Sequence, residues 1–175
     1  MGDLLYAFTE YLRTTWVNGA SLAISDWKLS LWLDTHFWAI PIMQVIHILA
    51  LGTGFGAVLM IDLRVFNLAG TDRTFAETER RYVRWIWWSL LVLLITGVGM
   101  TVAEPPRELI NPIFWIKIPT VIFAVLVSLW FHNRVMRQLA AGGTAGPGIK
   151  LGAVFVVLLW IFIMFCGRWI AYAPT

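Results

Sequence analysis

The sequence predicts an all-α fold: a four-helix transmembrane bundle with short interfacial N-terminal helices. Three observations carry that expectation. Of 175 residues, 59% are hydrophobic and 13% charged, with 11 tryptophans and a mean hydropathy of +0.76, far from a soluble domain. The apolar residues gather in four runs, roughly 37–61, 85–102, 114–131 and 151–171. Each is near the ~20 residues that a helix needs to cross about 30 Å of hydrocarbon. The runs are continuously apolar, without the alternation that the lumen of an outer-membrane barrel imposes.

Two regions follow: an N-terminal segment over 1–34 and a four-helix transmembrane domain over 35–175. The segment carries Asp3 and Glu10 early and has neither a basic leader nor an unbroken apolar core, so it is expected to be retained. Leu4, Leu5, Phe8, Tyr11, Leu12 and Trp16 fall near helical spacing, as do Ile24, Trp27, Leu31 and Trp32. Two short helices broken at Asn18-Gly19 are expected, lying in the membrane interface or capping the bundle.

Charge sets the topology. The connections after the first and third runs hold Arg64, Arg73, Arg80, Arg81, Arg84, Arg134, Arg137 and Lys150, eight basic residues, against four near the membrane on the other side, Lys28, Arg107, Lys117 and Arg168. The positive-inside rule then places both termini on the non-cytoplasmic side of the membrane. Tryptophans and Tyr172 at the run ends fit aromatic belts. The net charge of +3 is explained by arginines at helix ends facing membrane lipid, and no nucleic-acid partner is expected.

The stretch EPPRELINP is read as a tight turn whose three prolines end the second span and open the third. AAGGTAGPG, over 140–148, is a flexible link without the Lys-Ser/Thr of a phosphate loop. Gly52 and Gly56 form a GxxxG pair, and Gly54, Gly97 and Gly99 extend the small-residue surface, which suits close helix contacts within one chain or in a homo-oligomer. Cys166 stands alone in the fourth run, read as a small core residue.

The stretch HFWAIPIMQVIH carries two of the three histidines. At 100° per residue His36, Met43 and His47 fall within about 40° of one another on the first span, with Gln44 roughly 80° to the side. His47 then lies about 15 Å below the outer edge, near mid-bilayer. An ionisable side chain at that depth faces other helices and marks a functional site by default. The structural alternative is an interhelical hydrogen bond, for example to Thr96 or Gln44.

Facing histidines in helical membrane bundles commonly grip haem iron, and both must lie at similar depth. His36 falls at the outer boundary and His132 about 12 Å deeper than His47, so no pair within one chain clamps a single haem. His132, next to Arg134, is read as a surface residue. His47 is therefore taken as the metal ligand of haem b, completed by Met164 on the fourth span, by its symmetry mate in a homodimer, or by nothing, in a five-coordinate site. Copper is the alternative cofactor: His36, Met43, His47, Met100 and Met164 supply imidazole and thioether donors along a path. Lys117 and Arg168 are candidates for haem propionates, a quinone or lipid head groups, and snorkelling is the simpler account of each. Asp62 is expected to pair with Arg84 or Arg134, or to take part in proton uptake.

HFWAIPIMQVIHILALGTGFGAVLMIDLRVFNLAG, followed by TGVGM and NPIFWIK, resembles a family of small bacterial four-helix inner-membrane proteins known only as a domain of unknown function. The matching residues are His47, Asp62, Leu63, Arg64, Thr96, Gly97, Asn111, Pro112 and Lys117. More distantly the chain is similar to four-helix cytochrome b and copper-resistance membrane proteins, which implies haem or copper as cofactor.

The function expected is that of a cofactor-binding inner-membrane protein of electron transport, with His47 as axial ligand, His36 lining the approach, and a quinone or redox partner. The rivals are a non-catalytic accessory subunit or homo-oligomeric scaffold, and a copper-handling or transport protein. No Ser-His-acid set, HExxH or nucleotide motif points to soluble-type enzyme chemistry.

Overall fold

A computed structural model describes residues 2–140 and 145–172, so residues 141–144 of the glycine-rich link fall outside the described residues. The chain is all-α: α1 (Gly2–Thr14), α2 (Trp16–Ser25), α3 (Lys28–Thr35), α4 (Ala39–Val65), α5 (Phe75–Ala103), α6 (Pro105–Leu109), α7 (Pro112–Ala140), α8 (Pro147–Trp169) and a closing 3-10 turn, Ile170–Tyr172. Four of these, α4, α5, α7 and α8, are long and apolar enough to cross a membrane, which makes the protein a multi-pass, four-helix membrane bundle.

Local chemistry explains the boundaries. The α4 helix ends in a Schellman motif: Asn67 adopts φ 58°, Leu68 N–H donates to Leu63 O at 2.9 Å, and Asn67 N–H donates to Arg64 O at 3.1 Å. Asparagine tolerates the left-handed conformation better than most side chains. The α5 helix opens on a capping box in which Thr74 N–H donates to Glu77 Oε2 at 2.9 Å and Glu77 N–H donates to Thr74 Oγ1 at 3.3 Å. It therefore starts well before the apolar run at Trp85. The EPPRELINP stretch is more than a turn, since it folds into the single-turn helix α6 before Asn111 caps α7.

Three N-terminal helices form where two were expected. The first break falls at Thr15, which is extended at ψ 172°, and Asn18-Gly19 lies inside α2. Thr14 and Thr15 turn their hydroxyls back onto Tyr11 O (2.8 Å) and Leu12 O (2.7 Å), competing with the helix ladder. A lone helical glycine costs only about 1 kcal/mol, so it does not set the boundary.

Packing divides the chain into two compact units. The first comprises Met1–Leu49, Val92–Pro119 and Met164–Thr175. Its buried groups are small apolar clusters, such as Leu33 with Ala39 and Ala103, and Ile113 with Cys166 and Ile170. Cys166 is thus a buried core thiol. Leu4 on α1 and Trp16 on α2 are each 77% exposed, whereas Leu12 of the same apolar stripe is buried, as are Thr9, Ser21 and Ser30. Small residues facing protein and large apolar ones facing out is a packing habit of membrane helices.

The second unit comprises Ala50–Leu91 and Thr120–Ile163. Its core joins Val58, Val65, Phe131, Val135, Ala153, Val156 and Trp160. Glycines let the backbones approach: Gly152 lies against the Phe131 ring, and a Cβ at Gly54 would come within 2.9 Å of Ser89 Cβ. A Cβ at Gly52 or Gly56 would meet nothing within 4 Å among the described residues, so the GxxxG pair is not a close-packing point like Gly54 or Gly152.

Candidate functional site

The site is built in the first unit where α4 meets α5. Met43 and His47 lie one helical turn apart, and both face the α5 small-residue surface. A Cβ at Gly99 would come within 2.8 Å of Met43 Sδ, and one at Gly97 within 3.7 Å of His47 Cε1. Both glycines are therefore spacers for side chains from α4. His47 itself is half-buried.

The imidazole is held by one hydrogen bond whose direction can be deduced. His47 Nδ1 is 2.7 Å from Thr96 Oγ1, and that same hydroxyl is 2.7 Å from Val92 O. A carbonyl oxygen only accepts, so the single hydroxyl proton goes to Val92 and the hydroxyl accepts from His47. The ring consequently carries its proton on Nδ1 and a lone pair on Nε2. Metal-binding histidines are usually held in this way, one nitrogen donating to a protein oxygen and the other presented to the metal. Of the two partners considered for His47, Thr96 is the one used, while Gln44 is exposed.

His36 does not extend this seam. The α4 helix begins only at Ala39, and His36 is the extended residue that closes α3, at φ −97° and ψ 96°, so helical spacing from His47 does not apply to it. Its Nδ1 donates to Trp32 O at 2.7 Å, and its ring lies against Trp32 and Trp38, with centroids 4.5 and 5.7 Å away.

The remaining candidates separate. Lys117 on α7 directs its ammonium toward α8, where a Cβ at Gly167 would lie 3.6 Å from Nζ. Its charge is felt at His47, at Glu108 on α6 and at Cys166. Lys117 has no hydrogen bond or ion pair among the described residues. Arg168 is exposed and engaged elsewhere, donating from Nη2 to Tyr172 Oη at 2.7 Å. Met164 is half-buried on α8 within the same unit. Glu108 carries a carboxyl raised above the ordinary glutamate range, first by burial and then by the neighbouring Glu104 charge, with Lys117 and Arg107 opposing.

Two polar residues of the second unit depart from the sequence reading. His132 is no surface residue: its Nε2 lies 2.7 Å from Glu79 Oε1, and the two side chains are 19% and 16% exposed. Sequence reasoning missed Glu79 because it precedes the apolar run. The Thr74-to-Glu77 capping signal was the available clue that α5 starts upstream and carries Glu79 on its first turns. Asp62 pairs with neither Arg84 nor Arg134, which are exposed. It is 4% exposed, and its Oδ2 has no hydrogen-bond partner. No group of three or more His, Cys, Asp or Glu side chains able to hold a metal occurs among the described residues.

Fold and site together define a helical multi-pass membrane protein with one oriented imidazole in its first spanning helix. Residues 35–173 match the family of unknown function DUF6644, and the chain belongs to that family. No curated protein and no solved structure matches it.

Proposed function

We propose that this protein binds a cofactor within the membrane and takes part in electron transfer, with Nε2 of His47 as axial ligand of a b-type haem. The observation that carries this reading is the fixed tautomer. Nδ1–H is committed to Thr96 and Nε2 is left with its lone pair, the protonation state that iron ligation needs. Haem, when bound, would supply the one-electron chemistry. The chain's residues hold the ring upright, keep Gly97 and Gly99 free of side chains beside it, and offer the Lys117 ammonium to a carboxylate such as a propionate.

His36 lies outside the spanning helices with its Nδ1 on Trp32 O, and His132 is paired through Nε2 with Glu79, so among the described residues His47 is the one imidazole held by a hydroxyl of a neighbouring spanning helix. A haem held here would take His47 as its protein ligand, alone or with Met164 or the His47 of a second copy. The likeness to cytochrome b proteins rests on this ligand and on the four-helix architecture. The arginine distribution supports both termini lying on the non-cytoplasmic side, in what we take to be a bacterial inner membrane. A redox partner or quinone would complete the electron path. Copper is the weaker alternative because His36 is withdrawn from Met43 and His47.

A second reading, a homo-oligomeric scaffold or accessory subunit, is favoured by one observation: a Cβ added at Gly52 or Gly56 would have no neighbour within 4 Å among the described residues. In that case the His47–Thr96 bond serves packing alone.

Titration of the purified, detergent-solubilised protein with haemin separates the two. The haem reading expects a shifted Soret band that saturates at one haem per chain, or one per two chains if copies share it, and that is absent in His47→Ala. Haemin spectra identical for wild type and His47→Ala would leave the scaffold.

A further inference from the structure

The second unit contains a polar arrangement unconnected with the haem reading. A cavity of about 40 Å³ is walled by apolar side chains, among them Val58, Ile86 and Val156, and by three polar ones, Asp62, Ser128 and His132. A buried water needs about 10–15 Å³ and two to four polar partners, so both the space and the partners are present. Asp62 brings a carboxyl oxygen with no partner. His132 brings a ring tied through Nε2 to Glu79. The Ser128 hydroxyl accepts from Trp160 Nε1 at 3.4 Å and retains a proton to donate.

Among the described residues no ion pair neutralises Asp62, although Arg64, two residues along α4, also has a buried Nε without a hydrogen-bond partner. On α4, Arg64 is turned to the following loop, where Nη1 donates to Asn67 Oδ1 and Nη2 to Arg73 O at 2.9 Å. On α5 the facing ionisable group is Glu79, while Arg80, Arg81 and Arg84 are exposed. On α7 it is His132, with Arg134 exposed. The α8 contribution is Val156, which has no charge. An isolated carboxylate in such surroundings is too costly to persist, and a bound proton or a partner must relieve it.

We propose that Asp62, a water held in this cavity and the His132–Glu79 pair form a proton-exchange site near the arginine-rich end of the spanning helices. The ligand is the proton itself. The lining supplies too few oxygen donors for a sodium or calcium ion, which takes six or more in the case of calcium. In the transfer, imidazolium His132 gives a ring proton to the cavity water, and the water gives one of its own to the Asp62 carboxylate. Neutral imidazole, intact water and a carboxylic acid result. Glu79 stays a carboxylate throughout, holding the imidazolium, and His132 is reprotonated from the aqueous phase past the partly exposed Glu79 side chain.

Infrared spectroscopy of the full chain in lipid nanodiscs tests this. At neutral pH the wild type is expected to show a protonated-carboxyl C=O band that is lost in Asp62→Asn, displaced in Asp62→Glu and kept in Asp72→Asn, where an exposed carboxyl is removed. After a switch to D2O the band should shift rapidly. In His132→Gln that exchange should slow by about a hundredfold, the low end of what a positioned acid–base group contributes. A wild type without the band at neutral pH, or exchange in His132→Gln as fast as in wild type, would overturn the proposal. The His132→Gln measurement keeps Asp62 in place and so holds even if Asp62→Asn fails to fold.

Discussion

Replacing Thr96 by valine removes one atom's chemistry while keeping the shape. Both side chains are β-branched, so helix propensity and packing volume change little. Thr96 is 6% exposed, and its hydroxyl is the only described partner of His47 Nδ1. The Val92 carbonyl keeps the helix ladder, so the loss falls on the imidazole N–H. Interhelical hydrogen bonds in membranes average about 0.6 kcal/mol and reach about 1.7 kcal/mol, which bounds the stability cost. The cost to ligand binding is larger, since removal of the group that orients a metal-bound histidine weakens metal affinity about 10–100-fold. Denaturant titration in mixed micelles measures the first quantity and haemin titration the second. Thr96→Ser, which restores the hydroxyl, should recover most of both. Wild-type haemin affinity in Thr96→Val would refute the claim that this bond sets the tautomer.

Two further outcomes follow from other contacts. Asn111 is fully buried, its Nδ2 donating to Ile170 O at 2.9 Å and its Oδ1 accepting from Ile113 N–H at 3.0 Å. Asn111→Ala strands two backbone groups at about 1–3 kcal/mol each, so stability should fall by about 2–6 kcal/mol, with partial recovery in Asn111→Asp, which retains the cap acceptor. For Glu108, burial raises the folded-state carboxyl above its ordinary value of 4.5. The folded state thus binds more protons between those two values, and this group's contribution to stability falls as pH rises through that window and is flat above it. Glu108→Gln should abolish that slope and match or exceed wild-type stability at neutral pH, as thermal unfolding across pH would record.

Much of the architecture was legible because bilayer physics writes it in length and composition. Four apolar runs of spanning length gave four spanning helices, and the isolation of Cys166 agreed with its burial. The misses came from polar side chains acting locally. The Thr14 and Thr15 hydroxyls moved a helix break away from Asn18-Gly19, and a capping box lengthened α5 past its apolar run. His47 and Thr96 could be paired in advance because both lie within spans, where an unpartnered imidazole is costly. The fates of His36, His132 and Asp62 depended on helix ends, where a shift of two residues turns a side chain by about half a turn.

The central claim, that His47 presents Nε2 to a haem, is tested most directly by the visible spectrum of the protein purified from its native host membrane, air-oxidised and then reduced with dithionite, beside His47→Ala prepared identically. The account expects a Soret band and a sharp reduced α band in wild type and neither in the variant. A colourless wild-type protein, or bands that survive the loss of His47, would contradict it.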